Sequence, residues 1–432
     1  MTMVGLALIL ALAHALGRLA QRCGQSAVVG EILAGVLLGP TLFDGTLSDA
    51  VFPSDIQPML GALGNLGVAL FMFLVGLELD HRLLRGNRRA TAGVSAGSIV
   101  CSFGLGIPLA MWLWNDHAAG DRVGFLLFVG AAMSITAFPV LARILTDRGI
   151  QHTRVGALAM ASAAAGDVVA WLLLAAVLTF TESQNSWRVL LVLPYAAVMI
   201  TVVRPLLGRF LAAREPTRAA RGPRGSWTTP HSVLTVLLLV SGALTEWFGL
   251  HFIFGAFLAG AIVPRHGTEQ LRAAVVDRLD KITWLLLPAY FTVAGLKVDL
   301  STLDGNGLGE LCLILLVAIG GKFGGAYLGA RAAGQTGRSA TVLGILMNTR
   351  GLTELIILGV GLQLGLLDSK LYSLMVVMAL VTTAMTAPLL RWAYPRQLAD
   401  ADLRKLAAQW EAASPHAASA GPLGENPSQT QR

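Results

Sequence analysis

Charge is what this sequence has least of. Asp, Glu, Lys and Arg make up 13% of its 432 residues against 55% hydrophobic ones, with a mean hydropathy of +0.66, and so thin a supply of charge excludes a water-soluble domain. Cysteine is scarce as well. Cys23, Cys101 and Cys312 lie in or beside apolar stretches with no CxxC spacing, which excludes a zinc site and a disulfide framework and leaves them as packing residues. Neither an HExxH motif nor a paired nucleophile and base is present, so an intramembrane hydrolase is not indicated, no cofactor is expected and the chain reads as a non-enzyme. A Gly-rich strand-to-helix turn is missing too, so no nucleotide-binding domain is expected behind the apolar part. No basic segment precedes the first apolar run, which is expected to be retained and not cleaved as a signal peptide.

Long apolar runs are what the chain has in abundance. Each is long enough to cross a hydrocarbon core of roughly 30 Å as a helix. They fall near 3–19, 25–42, 58–79, 91–114, 122–146, 155–180, 188–210, 231–248, 251–264, 282–298, 306–330, 339–366 and 370–391, about thirteen spans in an all-α polytopic membrane protein. A net charge of +7 does not imply nucleic acid, because the basic residues gather on no single face or domain. They alternate with the spans. Connections after odd-numbered spans carry clusters such as Arg82, Arg85, Arg88 and Arg89, or Arg214, Arg218, Arg221 and Arg224, while those after even-numbered spans, such as Asp44 to Asp55 and Glu182 to Asn185, are neutral or acidic. By the positive-inside rule the N-terminus lies outside and the C-terminus in the cytoplasm, with the plasma (inner) membrane as the expected location. Residues 1–394 form the transmembrane domain. The remainder, 395–432, reads as a short cytoplasmic tail with a possible amphipathic turn from Leu398 to Trp410 and a disordered end.

The sequence repeats itself in inverted form. Val29 to Gly35 in the second span and Phe254 to Gly260 in the ninth share two glycines and a Leu-Ala-Gly in register, and Val75 to Asp80 is answered by Ala294 to Asp299. The copies lie seven spans apart, an odd number, so they cross the membrane in opposite directions. Transporters built this way place their site near the midplane, at helices with interrupted backbone. Continuing the register pairs spans five and twelve. In the first, Pro139 follows Ser134, Ile135, Thr136, Ala137 and Phe138, removing one donor and freeing the Ile135 carbonyl; in the second, Asn348, Thr349, Arg350 and Gly351 bring polarity and flexibility to the same depth. A plain proline kink, satisfied by Ser134 or Thr136, is the structural alternative.

A charge at the bilayer centre costs at least about 2.5–3.5 kcal/mol, so each needs a reason. Glu78, Arg143 and Lys297 lie within reach of an interface and can snorkel. Glu31 is deeper, and reads either as a packing-site hydrogen bonder or as part of an access path. Asp167 is isolated from any interface, roughly 18 Å into its span, and Lys322, in the Gly-rich run from Gly320 to Gly325, lies about 14 Å from the cytoplasmic end of its own, given ~1.5 Å per residue. A static ion pair between these two is the bland alternative to a functional site. Arg350 and Glu354, spaced i, i+4, can pair and brace the break. Histidines in the connections, His117 among them, read as solvated surface, and no spacing makes a metal site.

The run from Ser134 to Arg143, Asn348 to Ile356, Gly30 to Pro40 and the stretch ending at Gly260 together resemble the monovalent cation/proton antiporter superfamily, in the branch of Kef-type potassium efflux proteins and plant cation/proton exchangers. The resemblance implies a sodium/proton antiporter-like fold with two crossing discontinuous helices. It also implies a homodimer with a panel-like dimerisation domain and a six-helix core, near 122–180 and 306–391, that moves in elevator fashion. The family's proton- or cation-binding Asp matches Asp167, and its basic residue on the eleventh helix matches Lys322. Gly166 departs from the pattern, because an Asp or Asn is expected there, and Ser162 stands where some relatives carry a glutamate.

Burial penalises the charge of Asp167 and a nearby ammonium favours it, so one carboxylate can take either a proton or a cation. The expected function is therefore exchange of Na⁺ or K⁺ for H⁺ across the bilayer by alternating access, one for one. Asp167, Ser134, Thr136 and Ser162 are the expected ion-binding residues, modulated by Lys322, Arg350, Glu354, Gly166, Pro139 and Asn348. A gated Kef-type efflux protein is the alternative that the resemblance allows.

Overall fold

The computed structural model describes residues 2–40, 56–78, 88–117, 121–151, 153–181, 188, 191–212, 228–249, 252–264, 268–301, 305–395 and 397–404. The connections at 41–55, 79–87, 182–187 and 213–227 lie outside the described residues, with the charges assigned to them except Arg88 and Arg89, which open a helix, as do the chain beyond 404 and the side chains of Glu78 and Pro139. Residues 397–404 are helical, which covers the first part of the amphipathic turn expected in the tail.

Among the described residues the chain is wholly helical. Sixteen α-helices run as α1 Thr2–Arg22, α2 Ala27–Leu38, α3 Gln57–Glu78, α4 Arg88–His117, α5 Arg122–Ser134, α6 Phe138–Asp147, α7 Arg154–Thr181, α8 Val192–Val198, α9 Arg204–Ala212, α10 Thr228–Trp247, α11 Phe252–Ala261, α12 Glu269–Leu296, α13 Gly305–Ala332, α14 Gly337–Met347, α15 Leu352–Gln363 and α16 Ser369–Ala393. Every expected span is present, and three are interrupted. α5 and α6 are halves of one span, α14 and α15 of another, and a π-helical turn at Met199–Val203 separates α8 from α9.

The inverted repeat reappears as matching helix crossings. A Cβ built on Gly30 would sit 2.2 Å from the Leu16 carbonyl oxygen, and one on its counterpart Gly255 would sit 2.1 Å from that of Ser241. A Cβ on Gly35 would meet the Thr292 carbonyl and one on Gly295 that of Ile32, just as one on Gly260 would meet the Phe73 carbonyl and one on Gly76 that of Phe257, so the paired motifs make matching contacts in each half. Only a residue without Cβ allows backbones so close.

The helices pack in two groups, α1–α3 with α10–α12 and α4–α7 with α13–α16, and the groups meet where α2 touches α16 and α12 touches α15. α4, which falls outside the ranges expected for the core, runs beside α13 from the Gly93–Gly329 and Gly97–Gly325 crossings to the contact of Gly321 with Ser102. Outward residues of this pair, such as Val100 and Leu316, are 67% and 69% exposed, as a lipid-facing surface requires.

Candidate functional site

Two interrupted spans cross in the second group. α5 starts on an Asp121 cap, whose side chain accepts from Gly124 N–H at 2.7 Å, and stops at Ser134, where Ile135 turns extended. The sequence suggested that Pro139 would break the span in its middle. Instead the break precedes it, and Pro139 is the second residue of α6, a first-turn position where a missing N–H leaves no hydrogen bond unmade. α14 stops at Met347, and α15 begins after Gly351, whose φ of +150° suits glycine and whose Cβ position would lie 2.7 Å from the Val140 side chain. The two breaks are joined. Ala137 N–H donates to the Thr349 carbonyl at 3.1 Å, and the Thr136 hydroxyl to the Met347 carbonyl at 3.1 Å. Thr383 of α16 replaces backbone bonds that the second break lacks, accepting from Arg350 N–H at 3.0 Å and donating to the Arg350 carbonyl at 2.7 Å.

The carbonyls released at the end of α5 have partners. Two side-chain cations take them. Arg350 reaches across from the other break to donate to the Ala132 carbonyl at 3.2 Å and the Met133 carbonyl at 2.8 Å, and Lys322 donates to the Ser134 carbonyl. The Lys322 ammonium also donates to the Thr136 hydroxyl at 2.7 Å and the Ser98 hydroxyl at 3.2 Å. Positive charge at a helix C-terminus meets the negative end of its dipole. Arg350 further pairs with Glu354 at 2.7 Å, with both side chains at 0% exposure, the i, i+4 brace that the spacing suggested.

Asp167, buried at 7% exposure on α7, sits at the opposite kind of helix end. Its carboxylate accepts from Phe138 N–H, the first residue of α6, where the dipole is positive. The other side of the carboxylate is open: Oδ1 is buried without a hydrogen-bond partner. Lys322 acts on Asp167 through its charge, yet its three hydrogen bonds go elsewhere and no salt bridge joins the two among the described residues. The static pair is therefore not the arrangement found.

The remaining expected residues are distributed unevenly. Ser134 and Thr136 lie at the crossover, on the Lys322 ammonium. Ser162 turns to α4, its hydroxyl 3.5 Å from the Thr91 carbonyl. Gly166 faces the same helix, and a Cβ there would meet only Ser95 Oγ, at 3.8 Å, an ordinary contact. Asn348 ends α14 with its Nδ2 3.7 Å from the Met385 sulfur and its Oδ1 buried without a partner.

Sequence reasoning missed α4. Thr91, Ser95, Ser98 and Ser102 are all buried and recur at steps of four, three and four along a single helical face. That polar stripe in an apolar helix was the available signal. His117 was also misread as surface. It is 3% exposed and held by Glu310 at 3.1 Å and Asp368 at 3.0 Å, with Lys370 3.3 Å from Glu310, a cluster that ties together the ends of α4, α13 and α16.

Comparison with known proteins gives a consistent neighbourhood. The family model described as "Sodium/hydrogen exchanger, transmembrane" matches residues 6–392. The chain is 39% identical over 399 residues to the Na(+)/H(+) antiporter NhaS4 of Synechocystis sp., covering 90% of this chain and 95% of that protein. It is similar also to Cation/H(+) antiporter 20 of Arabidopsis thaliana, 35% identical over 88% of this chain and 47% of the relative, and to K(+)/H(+) antiporter 1 of Saccharomyces cerevisiae, 32% identical over 87% and 44%. Of these last two the chain spans about half the length. In fold it is similar to the sodium proton antiporter MjNhaP1 from Methanocaldococcus jannaschii at pH 8, with a TM-score of 0.63 at 16% identity over 92% of this chain and 97% of the other.

Proposed function

The chain belongs to the sodium/hydrogen exchanger family, an integral multi-pass membrane protein, and from that premise we propose that it exchanges Na⁺ or K⁺ for H⁺ by alternating access, with Asp167 as the shared site. One observation carries the reading. A carboxylate oxygen buried in the membrane interior without a partner is costly to leave so, and a bound proton or cation relieves that cost. Phe138 N–H fixes the orientation of the carboxylate, so either ligand meets the same oxygen, and competition between them couples the two fluxes.

Coupling one for one follows from charge. Arg350 and Glu354 cancel, Lys322 is positive, and ionised Asp167 is negative; a proton or a monovalent cation on Asp167 each adds one positive charge. The site therefore crosses with the same charge in both directions. Lys322 holds the Ser134 carbonyl and the Thr136 hydroxyl, oxygens of two residues nominated for the cation, and an arriving cation takes them in its place. The moving body is α4–α7 with α13–α16, the fixed one α1–α3 with α10–α12. We propose the plasma membrane as location, with the C-terminus inside, and a homodimer through the span Val192–Leu211, which is only 17% buried; cross-linking along that span tests the dimer.

The direct test is reconstitution in liposomes with a pH dye and a panel of cations, beside Asp167→Asn. Saturable proton movement driven by Na⁺ or K⁺ and lost in the variant is expected. Undiminished exchange by Asp167→Asn would sink the reading, and single-channel currents would replace exchange with gated efflux.

A further inference from the structure

A cavity of about 510 Å³ lies between the two helix groups, with His14 and Arg18 of α1, Glu31 of α2, Asp280 of α12, and Ala142 and Arg143 of α6 in its wall. Its wall includes a turn of α6, the helix whose first residue contacts Asp167. Ala142 is four residues, one turn and about 6 Å, from Phe138, whose N–H holds Asp167. Glu31 lies in the middle of an apolar helix, with its stem against α1, where a Cβ on Gly17 would meet Glu31 Cγ at 3.7 Å. The charge that acts on its carboxylate is Arg143. These two residues stand on opposite sides of the boundary between the groups, Glu31 on α2 and Arg143 on α6.

We propose that Glu31 is a cation-recruiting residue in the entrance to Asp167, opposed by Arg143. The inference rests on the reading of Asp167 as the exchange site. With Glu31 ionised, the two arginines and two acids of the wall cancel, so each substitution tips the entrance one way. Glu31→Gln leaves it net positive, and cations are repelled; Arg143→Gln leaves it net negative, and they are drawn in. A low-dielectric cleft focuses such a difference onto the local ion concentration. A packing role for Glu31 would not produce opposite signs from two residues on different helices.

The experiment measures the apparent KM for Na⁺ and K⁺ in oriented proteoliposomes at low ionic strength. For cation added on the cavity side, Glu31→Gln is expected to raise KM and Arg143→Gln to lower it, each by about three- to tenfold, with maximal rate within about twofold and both shifts shrinking as choline chloride is added. For cation on the opposite side both KM values should match the parent. Unchanged KM, or shifts of the same sign, overturns the proposal. Loss of all exchange in Asp167→Asn tests the underlying site separately, so the two failures are distinguishable. Should Glu31→Gln fail to assemble, Arg143→Gln, at an exposed position, carries the test alone, and an unaltered KM there is sufficient to overturn it.

Discussion

Two buried acid and base couples meet at the crossover, and the fold treats them differently. Arg350 and Glu354 close on each other at 2.7 Å, with the guanidinium also fixed to two carbonyls of α5. Lys322 and Asp167 do not close. The ammonium is committed to Ser98, Ser134 and Thr136, and the carboxylate keeps one oxygen unpartnered. A closed couple holds the two breaks in register, whereas an open one leaves a carboxylate available to a ligand. On the proposed reading, a base and an acid at similar depth thus serve shape in one case and exchange in the other.

The comparison breaks if the two acids or the two bases behave alike. Arg350→Gln leaves Glu354 buried without its partner, and a cost of about 3–5 kcal/mol follows, read as a steep fall in melting temperature or loss of monodisperse protein. Asp167→Asn should melt at or above the parent temperature while silent in exchange, because it removes a buried charge that no salt bridge satisfies. Equal destabilisation by both variants would erase the distinction. Lys322→Gln comes next. It retains a hydrogen-bond donor for Ser134 and Thr136 and should cost about 1–3 kcal/mol, with a change in cation affinity that Arg350 variants, compared at equal folded amounts, do not show. Gly166→Asp is read in exchange and not in stability, and it fits sterically, since a Cβ there meets nothing closer than 3.8 Å. It adds a second carboxylate beside the first, and exchange should become sensitive to membrane potential, measured with valinomycin-clamped liposomes. Potential-independent exchange in this variant would detach stoichiometry from the number of acids.

How much of this could be read in the sequence depended on whether the signal was local. Asp167 and Lys322 stood out because a charge in an apolar run is visible without any partner, and the breaks did because Asn348 and Gly351 mark the second in place and Pro139 lies just beyond the first. The inverted repeat was legible for the same reason, as glycine spacing within single spans. Partnerships across the chain were not. Nothing near Arg350 shows that it will cap carbonyls of Ala132 and Met133, 218 and 217 residues away. Ser162 was nominated because some relatives carry a glutamate at its position, and nothing local shows that its hydroxyl lies 3.5 Å from the Thr91 carbonyl of α4. The buried hydroxyls of α4 carry no charge to draw notice, and His117 lies at a helix end, where solvent is the ordinary expectation.

That helix end supplies the smallest and most selective test of what a closed couple does. Asp368 caps α16, accepting from Leu371 N–H at 2.7 Å, and also bonds His117 at 3.0 Å. Partial burial works against its charge, but the His117 hydrogen bond, the Leu371 N–H and the charges of His117 and Lys370 outweigh it and hold the Asp368 carboxyl below the usual carboxylate range. A carboxylate so held contributes stability that is fully present above the unfolded pKa, about 3.9, and is lost as pH falls through the lower folded value. Asn caps a helix nearly as well as Asp, so Asp368→Asn removes the charge and keeps the cap. At neutral pH the variant should melt lower by roughly one to two degrees, a modest effect because the carboxylate is partly exposed. The deficit should close as the pH is taken below about 4. A deficit that persists to lower pH would assign the loss to geometry at the α16 cap, and the outer cluster would then resemble the Arg350 brace in location only.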